Sequence, residues 1–249
     1  MPRKRSTLAD TPLTDQGQLA VVRSLKANRD GAIFGPELDF WDSGETVVIG
    51  ADEAGRGPLA GPVVTGAVAF KPETLIPGIN DSKQLSASRR EAAFDVIKQH
   101  ALAWSIQESD AAAIDEHNIL EATRLAMRAA VRDVAKQLDC ANPVLLVDGR
   151  IPPLESGRQY NIVKGDSLSF SIGAASILAK VHRDRLMHDY DAKYPGYGFA
   201  QHKGYPTLDH RLAVLQLGRC PIHRLTFTIA SRNGDRISIG ALPEWSADE

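Results

Sequence analysis

The chain has 249 residues, 43% of them hydrophobic and 24% charged, with a formal net charge of −2. That length suffices for a substantial core in one large domain or two small ones, and the near balance of charge excludes a protein that coats nucleic acid by bulk attraction. No apolar run approaches the roughly 20 residues of a membrane span, no apolar stretch follows the basic start Met1-Pro2-Arg3-Lys4-Arg5 to make a secretory signal, and Cys140 and Cys220 are too few for a disulfide framework or a Cys-rich zinc site. A reducing, cytoplasmic location and no membrane partner are expected.

Residues 1–45 are polar and irregular, with weak helical character around Leu19 to Leu25, and read as a partly disordered extension. Val47 to Asp52 reads as a buried strand and Pro62 to Phe70 as a second, joined by a short Gly/Pro connection that suggests an antiparallel hairpin. Ser86 to His100 reads as a helix with Ser86 as N-cap, and Leu102 to Glu108 as an alternating strand. Asn118 to Leu138 is the clearest helix, with Leu120, Met127, Val131, Val134 and Leu138 on one stripe. Val144 to Val147 and Tyr160 to Val163 are short apolar strands. Ser171 to Tyr190 reads as a long helix whose first turns are small residues, and Leu208 to Leu217 as another. This order predicts an α/β fold, a mixed sheet flanked by helices, with a small helical segment on the C-terminal side from about residue 195. The core domain is expected over 46–227, and 228–249 as a polar tail.

Three apolar segments end in acids: Asp52-Glu53, Asp148 and Asp166. Strands lying side by side would bring these four carboxylates to one edge, where like charges raise each other's pKa and divalent cations relieve the repulsion. Carboxylates suit hard cations such as Mg²⁺ or Mn²⁺, and two of them about 4 Å apart can activate a water and stabilise the leaving oxygen of a phosphodiester. Singly, each acid has a plainer role: Asp52 and Asp148 as turn formers, Asp166 as a helix N-cap. Glu53 shares a site with Asp52 only if the strand ends or twists there, because neighbouring strand residues face opposite ways. The turn that follows, Gly55-Arg56-Gly57, allows close backbone approach to a phosphate or sugar and carries a phosphate-matching arginine.

Taken together the segments resemble bacterial type 2 ribonuclease H, the ribonuclease HII family. The matching stretches are GADEAGRGPLAGPVV at 50–64, NDSKQLS at 80–86, HNIL at 117–120, LLVDG at 145–149, VKGDSLSFSIGAASILAKVHRDRLM at 163–187 and YGFAQHKGYPT at 197–207. They cover roughly residues 46 to 225, and several long motifs in order are far more specific than a lone glycine pattern. The resemblance implies a ribonuclease H-like fold with a five-stranded mixed sheet. It implies a monomeric, Mg²⁺- or Mn²⁺-dependent endonuclease that cuts the RNA strand of RNA–DNA hybrids and incises duplex DNA at single ribonucleotides, leaving 5′-phosphate and 3′-hydroxyl ends. Asp52, Glu53, Asp148 and Asp166 match the metal-holding acids. Gly55, Arg56 and Gly57 match the motif that senses the 2′-hydroxyl, which separates RNA from DNA at a site. Tyr205 matches the tyrosine that stacks on the neighbouring deoxyribose; without the surrounding motif it would read as a turn aromatic before Pro206.

Ser82 and Lys83 lie in a loop where the family contacts phosphate, and Lys180, Arg183 and Lys203 are further candidates to neutralise the nucleic-acid backbone. The run Lys180, His182, Arg183, Arg185 reads equally as a solvated helix face, and Arg183-Asp184 as an intrahelical salt network. Two rival functions remain. A non-catalytic hybrid binder would gain nothing from clustered acids. A phosphatase or nucleotide-binding enzyme built on the glycine turn would need a Walker-type lysine and Ser/Thr pair, which do not follow it.

Overall fold

Short segments rich in Val, Ala and Leu form the central strands of this chain, and helices pack their apolar residues against them. The computed structural model describes residues 20–22, 35–45, 47–72, 74, 76, 79, 85–155, 158–230 and 235–246. In chain order the elements are β1 (Ala20–Val22), α1 (Gly35–Asp42), β2 (Val48–Ala54), β3 (Val63–Ala69), α2 (Ala87–His100), β4 (Ala103–Ser109), α3 (Ala111–His117) and α4 (Ile119–Gln137). They continue with β5 (Val144–Asp148), β6 (Arg158–Ile162), α5 (Phe170–Lys193), α6 (Phe199–His202), α7 (Leu208–Leu217), β7 (Thr228–Ala230) and β8 (Arg236–Ser238). Among the described residues no helix is long and apolar enough to cross a membrane.

The main sheet is mixed and runs in the order β1-β6-β5-β2-β3-β4. β5 is parallel to both β2 and β6, with Val48 opposite Val144, Ala51 opposite Val147 and Asp148 opposite Ile162. This register decides where the acids fall. One step beyond the Ala51–Val147 pair, Asp52 and Asp148 come level at the C-terminal edge of two adjacent strands. Alternation along β2 sends Ile49 and Ala51 into a cluster with Met127, Val131 and Val134 of α4. Val48 faces the other way, packing with Phe40, Val144, Leu146, Tyr160 and Ile172. Gly50, on that second face, lies against α5: an added Cβ would come within 2.3 Å of the Ser171 backbone. Likewise an added Cβ at Gly66 would meet the Ala175 carbonyl at 2.4 Å, so the small-residue start of α5 reflects close helix-to-sheet packing.

The chain divides into two compact units, the first holding residues 1–53, 65–107 and 124–181, the second 54–64, 108–123 and 182–249. Each changeover falls inside a regular element: β2, β3, β4, α4 or α5. The second unit has its own core of Leu59, Met187, Tyr194, Tyr197, Phe199, Val214, Ile222, Ile229 and Ile239.

Five expected strands and the helices beginning near Ser86, Ser171 and Leu208 are present, and Ser86 caps α2 by accepting from the Arg89 N–H. Four readings need correction. The region of weak helical character is a strand at Ala20–Val22, parallel to β6, so the sheet has six strands. The extension also contains α1, where Phe40 is buried. The helix expected over Asn118 to Leu138 is α4, but a shorter helix that was not expected, α3, precedes it; Asn118 separates the two with a left-handed φ of 66° while its Oδ1 caps α4 through Leu120 and Glu121 N–H. Finally, the polar tail contains the antiparallel pair β7–β8, anchored by buried Ile229 and by Ile239 just beyond β8.

Candidate functional site

The acids belong to the first unit. Asp52 is 5% exposed near the end of β2, on the α5 face of the sheet, and Ser176 of α5 hydrogen-bonds its carboxylate. Burial raises its pKa well above the usual carboxylate range, and the charges of Glu53 and Asp148 raise it further; the Ser176 hydroxyl and the Glu53 N–H act the other way. The Glu53 N–H donates to Asp52 Oδ1 at 2.7 Å. The strand runs two residues past its expected end at Asp52, to Ala54, and Gly55, with a φ of 98°, turns the chain after it. Glu53 therefore lies in the last two residues of the strand, and its charge is close enough to that of Asp52 to raise the Asp52 pKa further. Asp148 ends β5, and its Oδ1 accepts the Gly165 N–H at 2.6 Å, tying it to the turn that follows β6. That turn is a 3-10 segment, Gly165–Ser167, in which Asp166 is buried; Asp166 is thus not the N-cap of a long helix.

The donor set is carboxylate oxygen throughout, and the mutual charge that raises Asp52 is what a hard divalent cation relieves. These residues fit such an ion. Among the described residues no three His, Cys, Asp or Glu side chains are grouped closely enough to hold a metal ion as they stand.

The glycine turn belongs to the second unit, and its carbonyls converge on a residue that the sequence reading passed over. Arg224 is fully buried. Its Nε donates to Gly61 O at 3.0 Å, Nη1 to Arg56 O at 3.0 Å and Pro58 O at 2.7 Å, and Nη2 to Gly55 O at 2.5 Å and Gly61 O at 2.8 Å. Because a trans peptide holds C=O and N–H on opposite sides, carbonyls of Gly55 and Arg56 turned toward this guanidinium leave the N–H groups of Arg56 and Gly57 facing away from it. Arg56 and Gly57 are both exposed. The only sequence signal for Arg224 is a cation in an otherwise apolar and aromatic segment.

Arg183, proposed as a phosphate contact, has a different task. It is 1% exposed, and its Nε donates to Pro62 O at 2.9 Å, Nη1 to Lys203 O at 2.9 Å and Nη2 to Ala60 O at 3.1 Å. All three nitrogens serve backbone, so Arg183 binds two loops of the protein together. A Cβ at Gly55 would come within 2.1 Å of Arg183 Nε, which restricts that position to glycine on steric grounds as well as by its φ. Burial lowers the pKa of Arg183 to about 10 and of Arg224 to about 9, in the latter case helped by the charge of Arg183; both remain cations at neutral pH.

Tyr205 is 43% exposed, with the Arg183 guanidinium 6.0 Å from its ring centre. A Cβ at Gly57 would lie 3.7 Å from the ring, so the tyrosine and the glycine turn border the same space. Lys203 bonds His188 Nε2 at 2.9 Å and also the Ala200 carbonyl. Lys180 lies half-buried on α5, and His182 pairs with Glu108 at 2.6 Å, so part of the basic run is internal structure. Ser82 and Lys83 lie outside the described residues.

The family model for ribonuclease HII matches residues 49–230. A ribonuclease HII of Ruminiclostridium cellulolyticum is 54% identical over 184 residues, 74% of this chain and 71% of that protein. The crystal structure of the ribonuclease H2 from Pyrococcus horikoshii OT3 superposes with a TM-score of 0.61 at 27% identity, covering 72% of this chain and 93% of that one. A ribonuclease HIII solved in complex with Mn²⁺ superposes at 0.56 over 74% of this chain and 67% of that one, and at 18% identity it shows the shared fold.

Proposed function

This chain belongs to the ribonuclease HII family, and we propose that it incises duplex DNA at single embedded ribonucleotides in addition to the RNA strand of RNA–DNA hybrids on which a ribonuclease H acts. The observation that supports this reading is the exposed glycine turn, whose Gly55 and Arg56 carbonyls face Arg224 and which borders the Tyr205 ring at Gly57. Backbone donors beside a glycine suit a 2′-hydroxyl, which both donates and accepts. The exposed ring suits a deoxyribose and would be crowded by a second 2′-hydroxyl, so the pair selects an RNA–DNA junction.

Asp52, Glu53, Asp148 and Asp166 are proposed to hold the divalent cations, Mg²⁺ or Mn²⁺, on which the family depends. Once bound, such ions activate a water and stabilise the leaving oxygen. The protein's part is to fix the acids: Ser176 and the Glu53 N–H hold Asp52, and the Gly165 N–H holds Asp148. The enzyme is proposed to work as a cytoplasmic monomer, with Lys180 and Lys203 as basic groups near substrate.

The test is a DNA duplex carrying one ribonucleotide, incubated with Mg²⁺, with Mn²⁺ or with chelator. Metal-dependent cutting on the 5′ side of the ribonucleotide, leaving 3′-hydroxyl and 5′-phosphate ends, is expected; binding without cutting would favour the non-catalytic reading. Tyr205→Ala is expected to lower junction cutting more than cutting of a uniform hybrid.

A further inference from the structure

The second unit buries a second polar group that the chemistry above does not use. His210, His223 and Cys220 are each at most 1% exposed, and the His202 ring stacks on His210 with centroids 4.3 Å apart. His210 Nδ1 lies 2.9 Å from Tyr205 O, His210 Nε2 lies 3.2 Å from His223 Nε2, and His223 Nδ1 lies 3.0 Å from the Cys220 backbone N and 3.1 Å from Cys220 Sγ.

These contacts fix the protons. A carbonyl only accepts, so His210 must donate from Nδ1, which makes its Nε2 an acceptor. His223 then donates from Nε2 and accepts at Nδ1 from the Cys220 N–H and S–H. The opposite tautomer of His223, donating from Nδ1 to Cys220 O at 3.3 Å, would set two lone pairs against each other 3.2 Å apart. His202 is held in the same manner, donating from Nε2 to Tyr197 O at 2.7 Å and accepting the Gly204 N–H on Nδ1 at 3.1 Å. A metal does not explain the group: Cys220 and His210 sit at opposite edges of the His223 imidazole, so their donor atoms cannot converge.

We propose that Cys220, His223 and His210 are positioning residues for Tyr205, a one-way chain of hydrogen bonds that ends on the Tyr205 carbonyl and holds its ring beside Gly57. The Thr207 N–H shares that carbonyl at 2.8 Å, and the Tyr205 N–H is held by His202 O at 2.9 Å, so both peptide groups flanking the ring are tied down by this cluster. The chain works only with neutral imidazoles. Burial supplies that state, lowering the pKa of His210 to about 4 and of His223 to about 3, with neighbouring histidines adding to the effect. This inference rests on the reading of Tyr205 as the junction-sensing residue.

Two measurements test it. Long-range ¹H–¹⁵N NMR of histidine-labelled protein at pH 7 is expected to show His210 as the Nδ1–H tautomer and His223 as the Nε2–H tautomer; the opposite tautomer or an imidazolium at either ring overturns the chain. Junction preference, the ratio of kcat/KM on a single-ribonucleotide duplex to that on a uniform hybrid, is then compared in wild type, Tyr205→Ala, His210→Phe and Cys220→Ala. Loss of one directed hydrogen bond predicts a fall of about tenfold in the ratio for His210→Phe and a smaller fall for Cys220→Ala, with Cys220→Ser restoring it. Should Tyr205→Ala keep the preference, the reading of Tyr205 fails and the inference with it. If Tyr205→Ala loses the preference while both the His210 and Cys220 variants keep it, or lower the two substrates equally, the positioning role alone is overturned. The Cys220 pair carries the comparison if His210→Phe does not fold.

Discussion

In the first unit a buried carboxylate, Asp52, has other carboxylates as neighbours; in the second a buried guanidinium, Arg224, sits within five hydrogen bonds to carbonyl oxygens. Both groups are nearly cut off from water, but the charges of Glu53 and Asp148 oppose ionisation of the acid while the carbonyls around Arg224 favour its guanidinium. Burial and mutual repulsion raise the pKa of Asp52, and the repulsion is what a divalent cation proposed for this edge would relieve, whereas the guanidinium is satisfied by the protein itself. The difference separates two kinds of site. In the first, like charges are held close together; in the second, a cation fixes the shape of the turn around it.

The comparison breaks most sharply at Asp148. Asp148→Asn is expected to reduce kcat by roughly three orders of magnitude or more, the scale of the charge stabilisation that a metal supplies, while hybrid affinity stays near wild type. Steady-state cleavage beside a gel-shift assay checks this, and wild-type rates would refute the role given to the acids. Next comes Arg224→Met, which leaves the carbonyls of Gly55, Arg56, Pro58 and Gly61 buried without their donor and is expected to destabilise the fold by about 3–5 kcal/mol in a urea titration. Arg224→Lys should recover only part of this, since an ammonium cannot reproduce the fork.

A smaller effect follows from pH. His210 and His223 titrate near 4 and 3 when folded, against about 6.5 when unfolded. Between these values the unfolded chain binds more protons, so their contribution is fully present above pH 6.5 and is lost as pH falls, at about 1.4 kcal/mol per pH unit for each histidine. The urea midpoint should therefore drop from pH 6.5 toward pH 5, and His210→Phe should flatten that slope. Smallest is the pair of Arg219 with Glu244, 2.7 Å apart with the acid 77% exposed; Glu244→Gln should change stability by less than about 1 kcal/mol. A large loss there would erase the contrast between an arginine enclosed by backbone and one paired at the surface.

Much of this was legible in the sequence where pattern and burial coincide. Val47 to Asp52 and Val144 to Val147 read as buried strands because parallel central strands are apolar on both faces, and the acids stood out by ending them. The start of α4 at Asn118 was legible, but α3 was not, because its seven residues give only about two turns for a helical period to register. β1, β7 and β8 have three residues each, too few for a period to register. Arg183 was misjudged since a cation on a helix does not announce which side faces inward, and Arg224 escaped because its partners are carbonyls, which leave no trace in side-chain identity.

The chain passes between its two units five times, always within a strand or helix. Neither unit is therefore a cassette. A gene fragment ending between Glu53 and Ala54 would sever β2 itself, separating the first two acids from the glycine turn that begins two residues later. Recombination at such a joint yields half a strand, not a transferable domain, so the carboxylate edge and the glycine turn have to be inherited as one piece.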